Sequence, residues 1–249
     1  MFLPRTLARL AALAIGALAW AEAGAESGGA PHIVAARYEM PTARYDHGIL
    51  GDSLEWGALR LQLSDGSSVL LRLPGNRVFE DIAPRLVALK GRAGPLVMVV
   101  ETDLARGARL ALFGRSGVVT ATPFIGRSHR WLAPLGAADL DGDGRTEIAY
   151  VDRPHLARKL RVWRFEPQGA GRGRLVEVAD LDGVSNHRIG WSFIPGGIRR
   201  CGSRPEMILA SGDWRQVLAV TLEGGALRSR PIGRWQSPAD LDRALRCPG

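Results

Sequence analysis

The segment Asp139-Leu140-Asp141-Gly142-Asp143-Gly144-Arg145-Thr146-Glu147-Ile148-Ala149-Tyr150-Val151 sets an acidic, glycine-broken turn directly ahead of an apolar run. Glycine and alternating Asp residues make a tight turn, and the short apolar run that follows has strand length. Next come the β-prone residues Leu160–Phe165, turning near Gly169. The same unit recurs on both sides. Val97-Met98-Val99-Val100 is followed by Arg109–Phe113 and a turn at Arg115-Ser116-Gly117. Met207-Ile208-Leu209-Ala210 is followed by Val217–Leu222 and a turn at Glu223-Gly224-Gly225. An earlier copy runs Leu59–Leu63, Ser64-Asp65-Gly66, Val69–Leu73. A related triplet marks each copy: Asn76-Arg77-Val78, His129-Arg130-Trp131, His187-Arg188-Ile189 and Gly233-Arg234-Trp235, with the Arg residues 53, 58 and 46 positions apart. A period of this size signals stacked supersecondary units.

The expectation is an all-β fold, a small β-propeller of about four blades, because units of this kind bury both faces only by packing on one another. The repeats fall at about 44–76, 77–129, 130–187 and 188–233, within a single domain of residues 26–249. In the first copy Asp52 stands eight residues after Arg44, against 22 from Arg130 to Asp152 and 25 from Arg188 to Asp213. That copy is short by one strand, and residues 234–249 are otherwise partnerless. A C-terminal strand completing the N-terminal blade would remove exposed edges. Five blades or an open stack are the alternatives.

The acidic turn also carries chemistry. Carboxylates of Asp139, Asp141 and Asp143 at alternate positions converge on one side of a loop, and the Arg145 carbonyl and Glu147 can complete an oxygen cage suited to a hard ion such as Ca²⁺. An EF-hand is excluded, because position 12 is Tyr150 within an apolar strand. The pattern Asp-x-Asp-x-Asp-Gly-x-x-acid followed by a strand resembles the FG-GAP/VCBS repeat of integrin-α-like β-propellers. The resemblance implies one Ca²⁺ held by Asp139, Asp141, Asp143, Glu147 and the Arg145 backbone, and a role in adhesion or recognition. The corresponding positions of the preceding repeat are Ala88, Lys90, Arg92 and Leu96, so a single site is expected. The fragment Asp180-Leu181-Asp182-Gly183 lacks the later acids and reads as a turn.

Residues 1–25 read as a secretory signal peptide: Arg5 and Arg9, the apolar run Leu10–Trp20, then Ala23-Gly24-Ala25. The apolar run is short of the ~20 residues that span a bilayer. A periplasmic or secreted protein is therefore expected, in which Cys201 and Cys247 form one disulfide. Each cysteine lies 13 residues after its repeat's Arg (Arg188, Arg234), so the pair would clasp neighbouring blades. The chain carries a net charge of +8, yet Lys90 and Lys159 are its only lysines among 33 basic residues. No block of like charge or basic-aromatic stripe accompanies that excess, which argues against nucleic-acid binding.

Two other readings compete. Gly51-Asp52-Ser53-Leu54 resembles the nucleophile block of GDSL esterases, with Asp152 and His155 as an Asp-x-x-His pair. Yet 94 residues follow His155, and the chain lacks those enzymes' Gly-x-Asn-Asp block. The residues Arg77, Arg130, Arg188 and Arg234 form a possible anion-binding face, although salt bridges to neighbouring acids explain such arginines more simply. Arg44-Tyr45-Asp46-His47 with Glu55-Trp56 is a further candidate surface, and the recurring His129 and His187 read as structural. The sequence favours an exported, non-catalytic Ca²⁺-binding module that recognises an envelope or extracellular protein or glycan. The alternatives are a secreted esterase-like hydrolase and a purely structural envelope protein.

Overall fold

The apolar runs singled out in the sequence fall within or overlap strands. A computed structural model describes residues 30–169 and 171–247, so the signal peptide expected at 1–25 lies outside the described residues. The strands are β1 (Ile33–Thr42), β2 (Glu55–Leu63), β3 (Ser68–Arg72), β4 (Arg77–Phe79), β5 (Arg85–Val87) and β6 (Leu96–Asp103). They continue as β7 (Gly107–Gly114), β8 (Gly117–Ala121), β9 (Leu132–Ala138), β10 (Glu147–Asp152), β11 (Lys159–Pro167) and β12 (Gly173–Asp182). The last are β13 (Val184–Ser185), β14 (Gly197–Arg199), β15 (Glu206–Ser211), β16 (Gln216–Glu223) and β17 (Ala226–Arg234), followed by helix α1 (Ala239–Leu245).

These strands make three antiparallel sheets. The first runs β1-β2-β4-β6-β7-β8, with β3 on β2 and β5 on β6; the second is β12-β11-β10-β9; the third is β13-β15-β16-β17, with β14 on β15. Only the pair Trp56–Phe79 joins β2 to β4, so the first sheet is two meanders linked in strand pairing at one position. The sequence repeat is thus a four-stranded meander whose first strand is broken in two of three copies. β4 and β5 pair with opposite ends of β6, as β13 and β14 do with β15. β9 runs through, with a bulge opposite Ala149 and Tyr150.

Layering explains why β6, β10 and β15 are continuous apolar runs rather than alternating ones. On β6, Val97 and Val99 pack with Phe79 of β4 and with Leu59 and Leu61 of the first meander. Met98 and Val100 face the other way, into a core with Trp131, Ile148 and Tyr150. β10 repeats the division, because Ala149 and Val151 join Met207, Leu209 and Val220. Each Val, Leu, Ile, Phe or Met among these, fully buried, contributes roughly 1.5–3 kcal/mol.

The ends of the stack differ from expectation. Among the described residues, those after Arg234 do not supply a strand to the N-terminal meander. They carry α1, whose Leu241 packs with Ile208, Val217 and Ala219 and covers the outer face of the last sheet. The tail reads as a helix for local reasons. Asp240 accepts the backbone N–H groups of Gln236 and Ser237 (2.8 and 2.7 Å), Asp240 and Asp242 occupy the first turn, and Leu241 and Leu245 share one face. The missing strand comes instead from upstream of Arg44, as β1, which pairs along β2 from Ile33–Leu63 to Thr42–Glu55. Among the described residues no strand pairing joins the third sheet to β1–β3.

Cys201 and Cys247 are at disulfide distance, with Cα atoms 5.2 Å apart. The clasp differs from the one expected. Cys201 lies between β14 and β15 and Cys247 follows α1, so the bond fastens the helix to the sheet it covers rather than one blade to another.

Candidate functional site

The acidic turn links β9 to β10, and its backbone is organised by its own carboxylates. Asp139 accepts from the N–H groups of Gly142 and Gly144 (2.7 and 2.8 Å), Asp141 from Asp143, and Asp143 from Arg145. Gly144 has a positive φ of 84° and lies against the Lys90 ammonium, where a Cβ would collide. Asp139, Asp141 and Glu147 bring one ligand oxygen each to within 4.8 Å of one another, a set that can hold a metal ion. Glu147 is fully buried. One of its oxygens accepts the Leu140 N–H (2.8 Å) and the other the Arg164 Nε–H (2.6 Å). Burial pushes its carboxyl up even so.

Two features of this turn were not legible in the sequence. Asp143, expected as a fourth side-chain ligand, is turned toward the Arg145 guanidinium (2.9 and 2.6 Å), which holds its carboxyl down at about 2. Arg164 also enters the cluster, its Nη2 reaching Asp141 (2.5 Å) and Asp143 (3.3 Å). Arg164 stands directly opposite Glu147 across β10 and β11, a pairing visible only once the strand register is known. The donor set fits a hard cation: every protein ligand atom is oxygen, and backbone N–H groups orient the carboxylates.

The residues of the esterase reading have other surroundings. Ser53 is exposed between β1 and β2. Asp152 is bound by Arg153 (2.8 and 2.9 Å) and Arg161 (3.1 Å), and His155 bonds His187 (3.1 Å). Among the described residues no hydrogen bond joins Ser53, His155 and Asp152. The four recurring arginines have four different surroundings. Arg77 pairs with Glu101 (2.8 Å), Arg130 donates to the His129 carbonyl (2.7 Å), Arg188 lies over Trp214 (4.7 Å) and Arg234 is exposed at the end of β17.

Two further groupings arise only from folding. The first gathers Trp191, Phe193, Trp214 and Trp235, none of them fully buried. Trp191 stacks on Phe193 at 4.9 Å, Trp214 meets Trp191 at 5.5 Å and Trp235 at 4.8 Å. Trp214 holds a positive φ of 59°, an uncommon conformation for a bulky residue. The second surrounds a cavity that includes His47, His129 and His155. His129 and His47 were noticed in the sequence as separate features; their meeting was not. Comparison with known proteins finds no family model that matches the chain and no curated protein that matches it.

Proposed function

We propose that this chain is an exported, non-catalytic recognition module, stiffened by one Ca²⁺ in the β9–β10 turn, that binds an envelope or extracellular glycan. The observation that carries recognition is the aromatic cluster Trp191, Phe193, Trp214 and Trp235. Partly exposed tryptophans beside an arginine are the residue types that anchor binding surfaces. Phe193 is 43% exposed, and the stacked pair Trp191–Phe193 offers flat apolar faces beside the Arg188 guanidinium. Support for Ca²⁺ is the convergence of Asp139, Asp141 and Glu147, at the strand-to-strand turn where the FG-GAP/VCBS resemblance would put the ion. Export is supported by the basic-apolar-small N-terminal sequence and by the cysteine pair at disulfide distance.

Co-sedimentation with insoluble envelope polysaccharide tests the reading. The mature protein is expected to bind saturably, and Trp214→Ala and Phe193→Ala to lose most of that retention. Equal retention of both variants would refute glycan recognition by this cluster. Retention of a defined envelope protein, abolished by the same substitutions, would replace the glycan with a protein partner.

A further inference from the structure

Loops of the first, third and last meanders meet around a cavity of about 290 Å³. His47 and Ile49 come from the β1–β2 loop, the triplet His129-Arg130-Trp131 leads into β9, Arg153, His155 and Leu156 follow β10, and Ile189 follows β13. The second meander contributes from behind: Glu80, just after β4, is wholly buried, bonds His47 Nδ1 (2.5 Å) and accepts the Trp131 indole N–H on its carbonyl (2.8 Å).

The polar groups of the wall are fixed by donor logic. The Trp191 carbonyl can only accept, so His187 Nε2 carries a proton toward it (2.8 Å). Neutral His187 then accepts at Nδ1 from His155 Nε2–H, leaving the His155 Nδ1 with a lone pair. Burial brings the His155 imidazole down to about 4, so it is uncharged at neutral pH. The acids around the cavity are engaged: Glu80 by His47 and Thr102, Asp152 by Arg153 and Arg161, Asp46 by His129 (3.0 Å). Arg130 is different. Its guanidinium donates to the His129 carbonyl and pairs with no carboxylate among the described residues. Two residues of the wall, His129 (φ 55°) and Arg153 (φ 45°), hold left-handed backbone. Such conformations persist only where the surroundings over-determine them, and they gather at binding sites. The rim is apolar, with Leu156 63% and Ile189 70% exposed.

We infer that this cavity is a binding site for a small organic carboxylate with an apolar body, its carboxylate on Arg130 and its body against Trp131, Leu156 and Ile189. At about 30 Å³ for each water-sized group, the space takes about ten heavy atoms, the size of a medium-chain fatty acid. A planar guanidinium matches a carboxylate with two parallel hydrogen bonds. The inference does not depend on the glycan reading, because Trp191, Phe193, Trp214 and Trp235 do not line the cavity.

Isothermal titration of the mature protein with octanoate, beside octanol and acetate, tests it. Octanoate is expected to bind saturably at one site, octanol and acetate at least tenfold more weakly. Arg130→Gln is expected to cost at least tenfold in octanoate affinity. Ile189→Asp, at a side chain too exposed to matter for folding, sets a negative charge on the rim and is expected to do the same. Trp214→Ala should leave octanoate affinity unchanged. Absence of saturable heat up to millimolar octanoate, equal affinity for octanol, or full affinity in Ile189→Asp would each overturn the inference.

Discussion

Replacing Arg164 by Gln removes the cation that now sits among the carboxylates of the β9–β10 turn. Glu147 has no exposed surface and keeps only the Leu140 N–H as a partner, while Asp141 and Asp143 lose the guanidinium between them. Taking one partner from a buried ion pair costs about 3–5 kcal/mol, since the remaining charge is left uncompensated. For a domain of this size each kcal/mol moves the melting midpoint by about 2–4 °C, so in chelator the variant should melt about 6–20 °C below wild type. Ca²⁺ narrows the gap. Saturation at 100 times the dissociation constant adds about 2.7 kcal/mol, and the increment should be larger in Arg164→Gln, where the ion meets no competing guanidinium. Differential scanning fluorimetry of wild type, Arg164→Gln and Asp141→Ala, each with chelator and with excess Ca²⁺, measures all of this. Asp141→Ala should lose the Ca²⁺ shift. A variant Arg164→Gln that melts within 2 °C of wild type in chelator would refute the ion-pair argument. A smaller Ca²⁺ shift in Arg164→Gln than in wild type would refute competition between arginine and ion.

Three other outcomes follow from the packing. Burial, with Glu80, Asp52 and Asp81 nearby, lifts the Glu55 carboxyl to about 9. The folded chain then keeps a proton that the unfolded chain gives up above its ordinary value. Stability contributed by this group falls as pH rises between the ordinary carboxylate range and about 9. Glu55→Gln should match wild type near pH 4 and exceed it in urea denaturation at pH 9. Cys201 and Cys247 close a span of 46 residues, for which loop entropy gives about 4 kcal/mol. The double Ser variant should lose stability of that order and expose α1 to proteolysis before the sheets. A Cβ at Gly107, where φ is +74°, would strike the carbonyls of Arg127 and Arg130. Gly107→Ala should therefore lower the unfolding free energy by about 2–3 kcal/mol, read as a lower urea midpoint at unchanged slope, and should weaken octanoate binding by displacing Arg130.

Much of this molecule was written locally. Continuous apolar runs at Val97–Val100, Ile148–Val151 and Met207–Ala210 named the doubly covered strands, because only a strand buried on both faces dispenses with alternation. Alternating Asp residues and glycines likewise announced the turn at Asp139–Glu147, since its hydrogen bonds run within a few residues of chain. Other features depended on what came from a distance. The edge of the first meander was filled by β1 and not by the C-terminal tail, a choice between two segments that only competing packing decides. Arg164 reached Glu147 through strand register, which no local pattern records. The cavity needed four separate segments to meet, each noticed in the sequence without a sign that they would share one site. Sequence by itself determined the central apolar strands and the acidic turn, because backbone pairing and burial periodicity act over a few residues. Tertiary structure decided which charges face one another and which histidines meet, because those contacts join residues 17 to 83 positions apart.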